Sequence, residues 1–171
     1  MLIVYVVDII ITGDDKKGID DLKRYLQNSF QTKDLGKLRY FLGIEVERFK
    51  EGISLSQRKY VLDVLEETGL LGSKSVETPM DPIVKLYEDR GELLSNPKRY
   101  RHLVGQLNYL TITHPDISFA ISVLSQYMKD PHLPHWEAVI WIVRYLKAHS
   151  GHGLLYKANG HLRVEAYTDA D

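Results

Sequence analysis

The first thirteen residues, MLIVYVVDIIITG, constrain the fold more than any other stretch of this chain. Two short β-branched runs, Leu2 to Val6 and Ile9 to Ile11, flank the carboxylate of Asp8. Such runs predict two strands with buried faces, joined by a tight connection that brings Asp8 to an exposed tip. A carboxylate on a rigid tip can bind a hard divalent cation, but a turn Asp between two core strands has the same spacing. The pattern alone leaves both interpretations open.

Composition indicates an ordinary globular protein. The chain has 171 residues, of which 44% are hydrophobic and 26% charged, the shares typical of such proteins. No apolar run reaches the ~18 residues that span a bilayer, and we expect no membrane partner and no secretory leader. The chain has no cysteine, which excludes disulfides, a thiolate nucleophile and a cysteine zinc site. We therefore expect an intracellular protein, of the cytoplasm or the nucleus.

The first half of the chain predicts an α+β arrangement. Apolar residues at three- and four-residue steps favour a helix from about Asp15 to Gln31, in which Asp14 and Asp15 serve as caps rather than as metal ligands. Alternation predicts a strand from Leu38 to Phe49 that returns through Ile53 to Ser56 as a β-hairpin. A second helix then ends at Gly69.

The second half predicts a helical bundle followed by a short β segment. Residues 71–96 are rich in proline, glycine and serine and read as an extended connector. Three helices follow from Pro97, the second opened by Pro115 and the third, Trp136 to Lys147, apolar on most faces. Leu154 to Lys157 and Leu162 to Thr168 predict a last hairpin that turns at Asn159-Gly160.

Ten short motifs in a fixed order identify a family resemblance that covers nearly the whole chain. The motifs are Tyr5 to Gly13, Lys33 to Gly36, Tyr40 to Val46, Leu55 to Gln57 with Lys59-Tyr60, Thr78 to Met80, Tyr100-Arg101 with Leu103 to Gly105, Tyr109 to Thr111, Pro115 to Ile117, Arg144 to Lys147 and Tyr167 to Asp171. Together they resemble the Pol polyprotein of copia-type LTR retrotransposons, from the reverse transcriptase into the start of RNase H. One departure is His114, where the family usually has Arg.

This resemblance implies a division of the chain. We expect residues 1–70 to form part of a polymerase palm, with two β-hairpins and helices, and residues 71–96 to be a connector loop. Residues 97–150 would form a helical thumb or connection bundle. Residues 151–171 would form the first hairpin of an incomplete RNase H-like domain.

The resemblance also implies an RNA-directed DNA polymerase that uses two Mg²⁺ ions held by carboxylates. Tyr5-Val-Val-Asp8 resembles the Tyr-x-Asp-Asp box, with Val7 in place of its first Asp. Asp169 resembles the first metal ligand of RNase H. We expect the fingers, the earlier palm strand and the remaining RNase H carboxylates to lie outside this chain. Asp8 and Asp169 would then be residual ligands of incomplete sites, and the chain would be catalytically defective with no stably bound Mg²⁺.

Basic residues in the second half suggest an alternative function. Residues 96–165 carry 8 Lys and Arg against 4 Asp and Glu, whereas residues 1–95 carry 14 against 17. We predict that five cations of the bundle contact a nucleic-acid backbone: Lys98, Arg99, Arg101, Arg144 and Lys147. The chain would then be a weak, non-catalytic nucleic-acid-binding module, although a merely solvated basic face has the same composition.

Histidines flank the last predicted helix. His132 and His135, like His149 and His152, are three residues apart, which is a spacing that zinc sites use. Each pair lies at a helix end beside Pro or Gly, where histidine commonly caps the helix. We expect caps and polar helix edges rather than a metal site.

Overall fold

The computed structural model describes residues 1–81, 85–88, 90–158 and 160, and over these residues the fold is mixed α+β. The strands are β1 Leu2–Tyr5, β2 Asp8–Ile11, β3 Tyr40–Phe41, β4 Ile44–Arg48, β5 Gly52–Ser56 and β6 Gly153–Lys157. The helices are α1 Lys16–Ser29, α2 Arg58–Glu67, α3 Pro97–Leu110, α4 Ser118–Ser125 and α5 Leu133–Ala148, with a 3-10 turn at Pro115–Ile117. The α+β prediction is confirmed at this level.

The opening hairpin forms as predicted, but its faces are not buried. Strands β1 and β2 pair antiparallel, with Tyr5 opposite Asp8, and Val6 in the turn has a φ of +49°. All four residues of β1 are exposed, and Val4 keeps 62% of its surface. The prediction of buried faces is wrong because β1 and β2 pair only with each other in the described part of the chain.

Helix α1 begins at a cap that the sequence predicted. The carboxylate of Asp15 accepts the Gly18 N–H at 2.9 Å, which satisfies one of the free donors of the first turn. Leu22 and Leu26 on its apolar side are only half-buried. This helix therefore lies outside the main core.

The second sheet has the order β3-β4-β5-β6, and all its pairs are antiparallel. The predicted continuous strand from Leu38 to Phe49 is wrong, because Leu42 and Gly43 both adopt positive φ, +50° and +77°, and reverse the chain. Strand β6 pairs along the whole of β5. The predicted hairpin partner of β6, residues 162–168, lies outside the described residues.

The core lies among α2, α3, α4 and α5. Buried apolar side chains from all four helices meet there, and Leu107, Leu110, Leu124, Val139 and Val143 are completely inaccessible. Each such side chain contributes roughly 1.5–3 kcal/mol. Helix α2 ends as predicted, because Gly69 takes φ +73° and its N–H and that of Leu70 satisfy the carbonyls of the last turn.

Two helices of the bundle differ in length from the prediction. The second ends at Ser125 rather than near Asp130, and α5 begins at Leu133 rather than at Trp136. Helix α5 is also not buried all round. Its side chains Trp136 and Trp141 are half-buried, and Trp141 bonds to the connector, which the next section describes.

Candidate nucleic-acid interface and the Asp8 hairpin

Asp8 is the first residue of β2 and is exposed at the tip of the opening hairpin. Its neighbour Val7 is 87% exposed and offers only an alkyl group. Nearby, Asp15 uses its carboxylate to cap α1. Among the described residues no three His, Cys, Asp or Glu side chains are grouped so as to hold a metal ion. One carboxylate beside an alkyl side chain does not fit a two-magnesium site. Asp169 lies outside the described residues.

The described part of the connector, residues 71–81, 85–88 and 90–96, runs antiparallel to α5 and is held by side chains of that helix. Four donors of α5 reach main-chain carbonyls of the connector in reverse order: Lys147 to Ser73 at 2.5 Å, Arg144 to Lys74 at 2.8 Å, Trp141 to Thr78 at 2.8 Å, and His135 to Tyr87 at 2.9 Å. Trp141, Arg144 and Lys147 follow one another at three-residue steps and lie along one side of the helix, whereas His135 lies on another side nearer its start. The described part of the connector is therefore fastened to α5 at four points.

Two of the predicted phosphate contacts take part in this fastening. Arg144 donates through Nε and lies with its guanidinium carbon 5.6 Å from the centre of the Trp141 ring. Lys147 donates through Nζ and is half-buried. Both cations have an intramolecular role that their charge alone did not indicate.

The other three predicted contacts lie on the first turns of α3. Arg99 places its guanidinium carbon 4.7 Å from the centre of the Trp136 ring, and it makes no hydrogen bond through its side chain within the described residues. Arg101 donates from Nε to the carbonyl of Met128 at 2.6 Å and from Nη2 to that of Lys129 at 2.8 Å. Lys98 is exposed.

The five cations therefore form two groups at opposite ends of α5. Arg99 lies over Trp136 near the start of this helix, whereas Arg144 is eight residues further along it. At 1.5 Å per residue the two groups are about 12 Å apart along the helix. The α3 group, Lys98, Arg99 and Arg101, keeps more of its N–H donors free of protein partners.

His135 is a structural residue of the connector contact rather than a metal ligand. Its Nδ1 accepts the His132 N–H at 2.9 Å, so that Nε2 carries the proton donated to Tyr87. Tyr127 stacks on the ring at 3.9 Å, and burial lowers the pKa of His135 below its ordinary value. The predicted cap is confirmed, whereas the predicted polar edge is wrong because His135 is fully buried. With both ring nitrogens used, this side chain has no free lone pair for zinc.

A second buried polar group was not found from the sequence. The Thr113 hydroxyl donates to Gln57 Oε1 at 2.8 Å and lies 3.0 Å from His114 Nδ1. His114 Nε2 lies 3.3 Å from the carbonyl oxygen of His149, and burial lowers the pKa of His114. These residues join the start of α2 to the ends of α3 and α5, which no local pattern signals.

Within the described residues, no helix is both long enough and apolar enough to cross a membrane.

Comparison with known proteins shows that the chain is similar to proteins of retrotransposons. Residues 1–82 match the family described as reverse transcriptase (RNA-dependent DNA polymerase). The chain is 44% identical over 170 residues to the retrovirus-related Pol polyprotein from transposon RE1 of Arabidopsis thaliana, with 99% of this chain and 12% of that protein covered. It is 38% identical over 182 residues to the Pol polyprotein from transposon TNT 1-94 of Nicotiana tabacum, with 100% of this chain and 14% of that protein covered.

A shorter relative matches over most of its own length. An uncharacterized mitochondrial protein of Arabidopsis thaliana is 36% identical over 170 residues, which are 99% of this chain and 70% of that protein. This chain spans only about an eighth of the Pol polyproteins it resembles, 12% for that of transposon RE1. No solved structure matches the chain.

Proposed function

This chain belongs to the reverse transcriptase family of copia-type retrotransposon Pol polyproteins, and on that premise we propose that it binds a nucleic-acid backbone weakly through the α3 group without catalysing DNA synthesis. In this proposal residues 1–70 are palm, residues 97–150 are thumb or connection, and residues 151–171 begin RNase H. The observation that carries the proposal is the arrangement of Lys98, Arg99 and Arg101 on one end of α3.

Arg99 is the central residue of the proposed contact. The contact with the Trp136 ring restrains the guanidinium group, whose N–H donors have no protein partner within the described residues. A guanidinium that is held in place loses less side-chain freedom when it binds a phosphate, and its planar fork can contact two phosphate oxygens at once. Arg99 should therefore lose less side-chain freedom on binding a phosphate than a freely moving lysine would.

Arg101 and Lys98 extend the positive surface. The two carbonyls that accept from Arg101 leave Nη1 available, and Lys98 is exposed one turn before it. Neutralising two or three phosphates gives a log–log salt slope of about −2 to −3, with micromolar or weaker affinity at physiological salt. Sequence specificity is not expected, since phosphate contacts carry no base information.

The catalytic half of the family's function is not supported by the residues at the hairpin tip. By the family resemblance Asp8 would be a polymerase carboxylate, but Val7 contributes no ligand atom. We propose that Asp8 alone holds no pair of magnesium ions. We therefore propose that this chain does not catalyse DNA synthesis by itself.

The test is a salt titration of binding to an RNA–DNA hybrid, followed by fluorescence anisotropy. Arg99→Glu should weaken binding strongly and reduce the magnitude of the salt slope by about 1 to 2. Lys17→Glu makes a similar charge change on α1, where the side chain is exposed and has no partner among the described residues, and it should leave the slope nearly unchanged. Equal effects of the two substitutions would show a non-local charge effect, and no binding even at about 20 mM salt would refute the proposal.

A further inference from the structure

A row of buried polar side chains crosses the junction of α2, α3 and α5. Gln57 precedes α2, Thr113 and His114 follow α3, and each exposes 2% or less of its surface. Thr113 Oγ1 lies 2.8 Å from Gln57 Oε1 and 3.0 Å from His114 Nδ1. His114 Nε2 lies 3.3 Å from the carbonyl oxygen of His149, which also accepts the N–H of His152. The row therefore ends at the turn between α5 and β6.

The hydrogens of this row do not match a neutral imidazole when Gln57 is oriented in this way. A threonine hydroxyl has one hydrogen, which here goes to Gln57 Oε1, an atom that only accepts. His114 Nδ1 must then donate to Thr113, and Nε2 must donate to His149, because a carbonyl also only accepts. Both ring nitrogens carry a hydrogen only in the cation. In addition, the buried Nε2 of Gln57 has no partner among the described residues.

Burial favours the neutral ring over this cation. It is the strongest influence on His114 and lowers its pKa, against the bond to the His149 carbonyl and the nearby Asp116, which raise it. The side chains of His152 and His149 lower the pKa further. Asp116 itself accepts a hydrogen bond from the Tyr145 hydroxyl at 2.5 Å. We therefore expect an uncharged His114 above the ordinary histidine value.

A half turn of the Gln57 amide removes the mismatch. It exchanges Oε1 and Nε2, which are similar in size but opposite in hydrogen-bonding role. The amide then donates to Thr113 Oγ1, and the Thr113 hydroxyl donates to His114 Nδ1. The Nε2–H of the neutral ring donates to His149. Each contact in the row then has one donor and one acceptor, and Gln57 Nε2 gains a partner.

We infer that Gln57, Thr113 and His114 form a relay of hydrogen bonds whose direction depends on one proton. With His114 neutral, the bonds run from Gln57 towards the ring. When Nδ1 takes up a proton from solvent, Thr113 donates to Gln57 instead, and the amide turns to expose Oε1 to it. The bond from Nε2 to His149 keeps its direction, so that the proton is sensed at the start of α2 while the α5–β6 turn stays attached. This relay is independent of nucleic-acid binding.

Nitrogen NMR of the neutral state tests the first direction without acid. With ¹⁵N in the histidine rings and at about pH 8, above the ordinary histidine value, we expect the Nε2–H tautomer of His114. Thr113→Val removes the hydroxyl and should move the Nδ1 resonance downfield, as loss of a donor to a bare ring nitrogen does. Thr111→Val is the matched control, because the Thr111 hydroxyl donates to the Asn108 carbonyl at 2.7 Å. An Nδ1–H tautomer, or an Nδ1 resonance that Thr113→Val leaves in place, would overturn the inference.

Titration with acid tests the reversal. With ¹⁵N in the glutamine side chains, the Gln57 amide signal should change with the same midpoint as the His114 ring. In Thr113→Val the ring should still titrate while the Gln57 amide no longer follows it, whereas Thr111→Val should keep the two coupled. A Gln57 signal that does not respond in the unmodified chain would refute the relay. One that follows His114 equally well in Thr113→Val would show a through-space charge effect in its place.

Discussion

Arg144 donates its Nε–H to the main-chain carbonyl oxygen of Lys74, 2.8 Å away and 70 residues earlier in the chain. The bond joins the last turns of α5 to the first residues of the connector, and Lys147 repeats it one turn later with Ser73. The two cations are thus part of the packing between a loop and a helix. Their contribution to stability can be measured separately from any contribution to binding.

We expect Arg144→Ala to lower the free energy of unfolding by about 1–2 kcal/mol. It removes a charged donor to a carbonyl and a cation–π contact with Trp141, both at a partly exposed site. Urea unfolding followed by circular dichroism measures the change. Arg39→Ala is the matched control, because the Arg39 side chain is exposed and has no hydrogen bond or ion pair within the described residues. A loss no larger than that of Arg39→Ala would contradict a fastening role.

Local signals in the sequence were sufficient for much of the fold. The opening hairpin, the Asp15 cap and the Gly69 helix end each depend on residues close together in the chain, so that pattern and propensity reveal them. The reversal at Leu42–Gly43 was missed because apolar alternation continues across it, although a glycine was present. Whether the faces of β1 are buried depends on which other strands are present, and the pattern of its own residues does not carry that information.

Long-range contacts could not be predicted from the sequence, for a different reason. The pairing of β6 with β5 and the bond from Arg144 to Lys74 join residues about 70 or more apart. No periodicity encodes which partner a strand or a guanidinium finds at such distances. The sequence predicted the cations of α3 and α5 as one set of phosphate contacts, whereas the geometry divides them into two groups.

Acid should destabilise the protein as pH falls below about 6.5, the ordinary histidine value. Burial lowers the pKa of His135 and of His114 in the folded state. The unfolded chain therefore binds protons at a higher pH than the folded chain, and stability falls between the unfolded and the folded pKa. For His135, protonation of Nδ1 would also break the bond from the His132 N–H. Each unit of difference costs about 1.4 kcal/mol at low pH.

The measurement is urea unfolding at several pH values with single histidine substitutions. His135→Gln and His114→Gln should each flatten part of the acid slope, because each removes a histidine whose pKa burial lowers in the folded state. His132 beside His135 adds to the lowering, and Asp116 near His114 opposes it, so the two sites should contribute unequally. An acid slope identical in all three proteins would show that His135 does not titrate in this way.

The opening hairpin should drive self-association. Val4 and Ile9 lie opposite each other on an exposed apolar face, and exposed strands with open edges template pairing between chains. We expect Val4→Lys to lower concentration-dependent light scattering without changing the helical circular dichroism signal. Phe119→Lys on α4 is the comparison, since Phe119 is 74% exposed but lies on a helix. If Phe119→Lys relieves association equally, the hairpin is not the cause.

Restoring a carboxylate at Val7 should change metal binding but not catalysis. Val7→Asp places a second carboxylate beside Asp8, and we expect Mn²⁺ to broaden the Asp8 amide signal at lower concentration than in the neutral Val7→Asn control. Two carboxylates remain short of the cluster that a two-metal site needs. Neither the unmodified chain nor Val7→Asp should therefore extend a primer on an RNA template. Template-dependent extension by either protein would contradict this expectation.

The place of β6 in the second sheet can be tested at its first residue. A Cβ on Gly153 would lie 2.2 Å from the carbonyl oxygen of Leu55, which is too close for either backbone to accommodate without moving. Gly153→Ala should therefore separate the start of β6 from β5 and increase amide exchange along residues 153–157. Gly105→Ala is the opposing control, because the site lies inside α3 and, apart from the adjoining residues of that helix, no described atom comes within 4 Å of the added Cβ. That change should stabilise the chain by roughly 0.5–1 kcal/mol through helix propensity. Unchanged exchange along β6 in Gly153→Ala would show that this strand does not pair with β5 in solution.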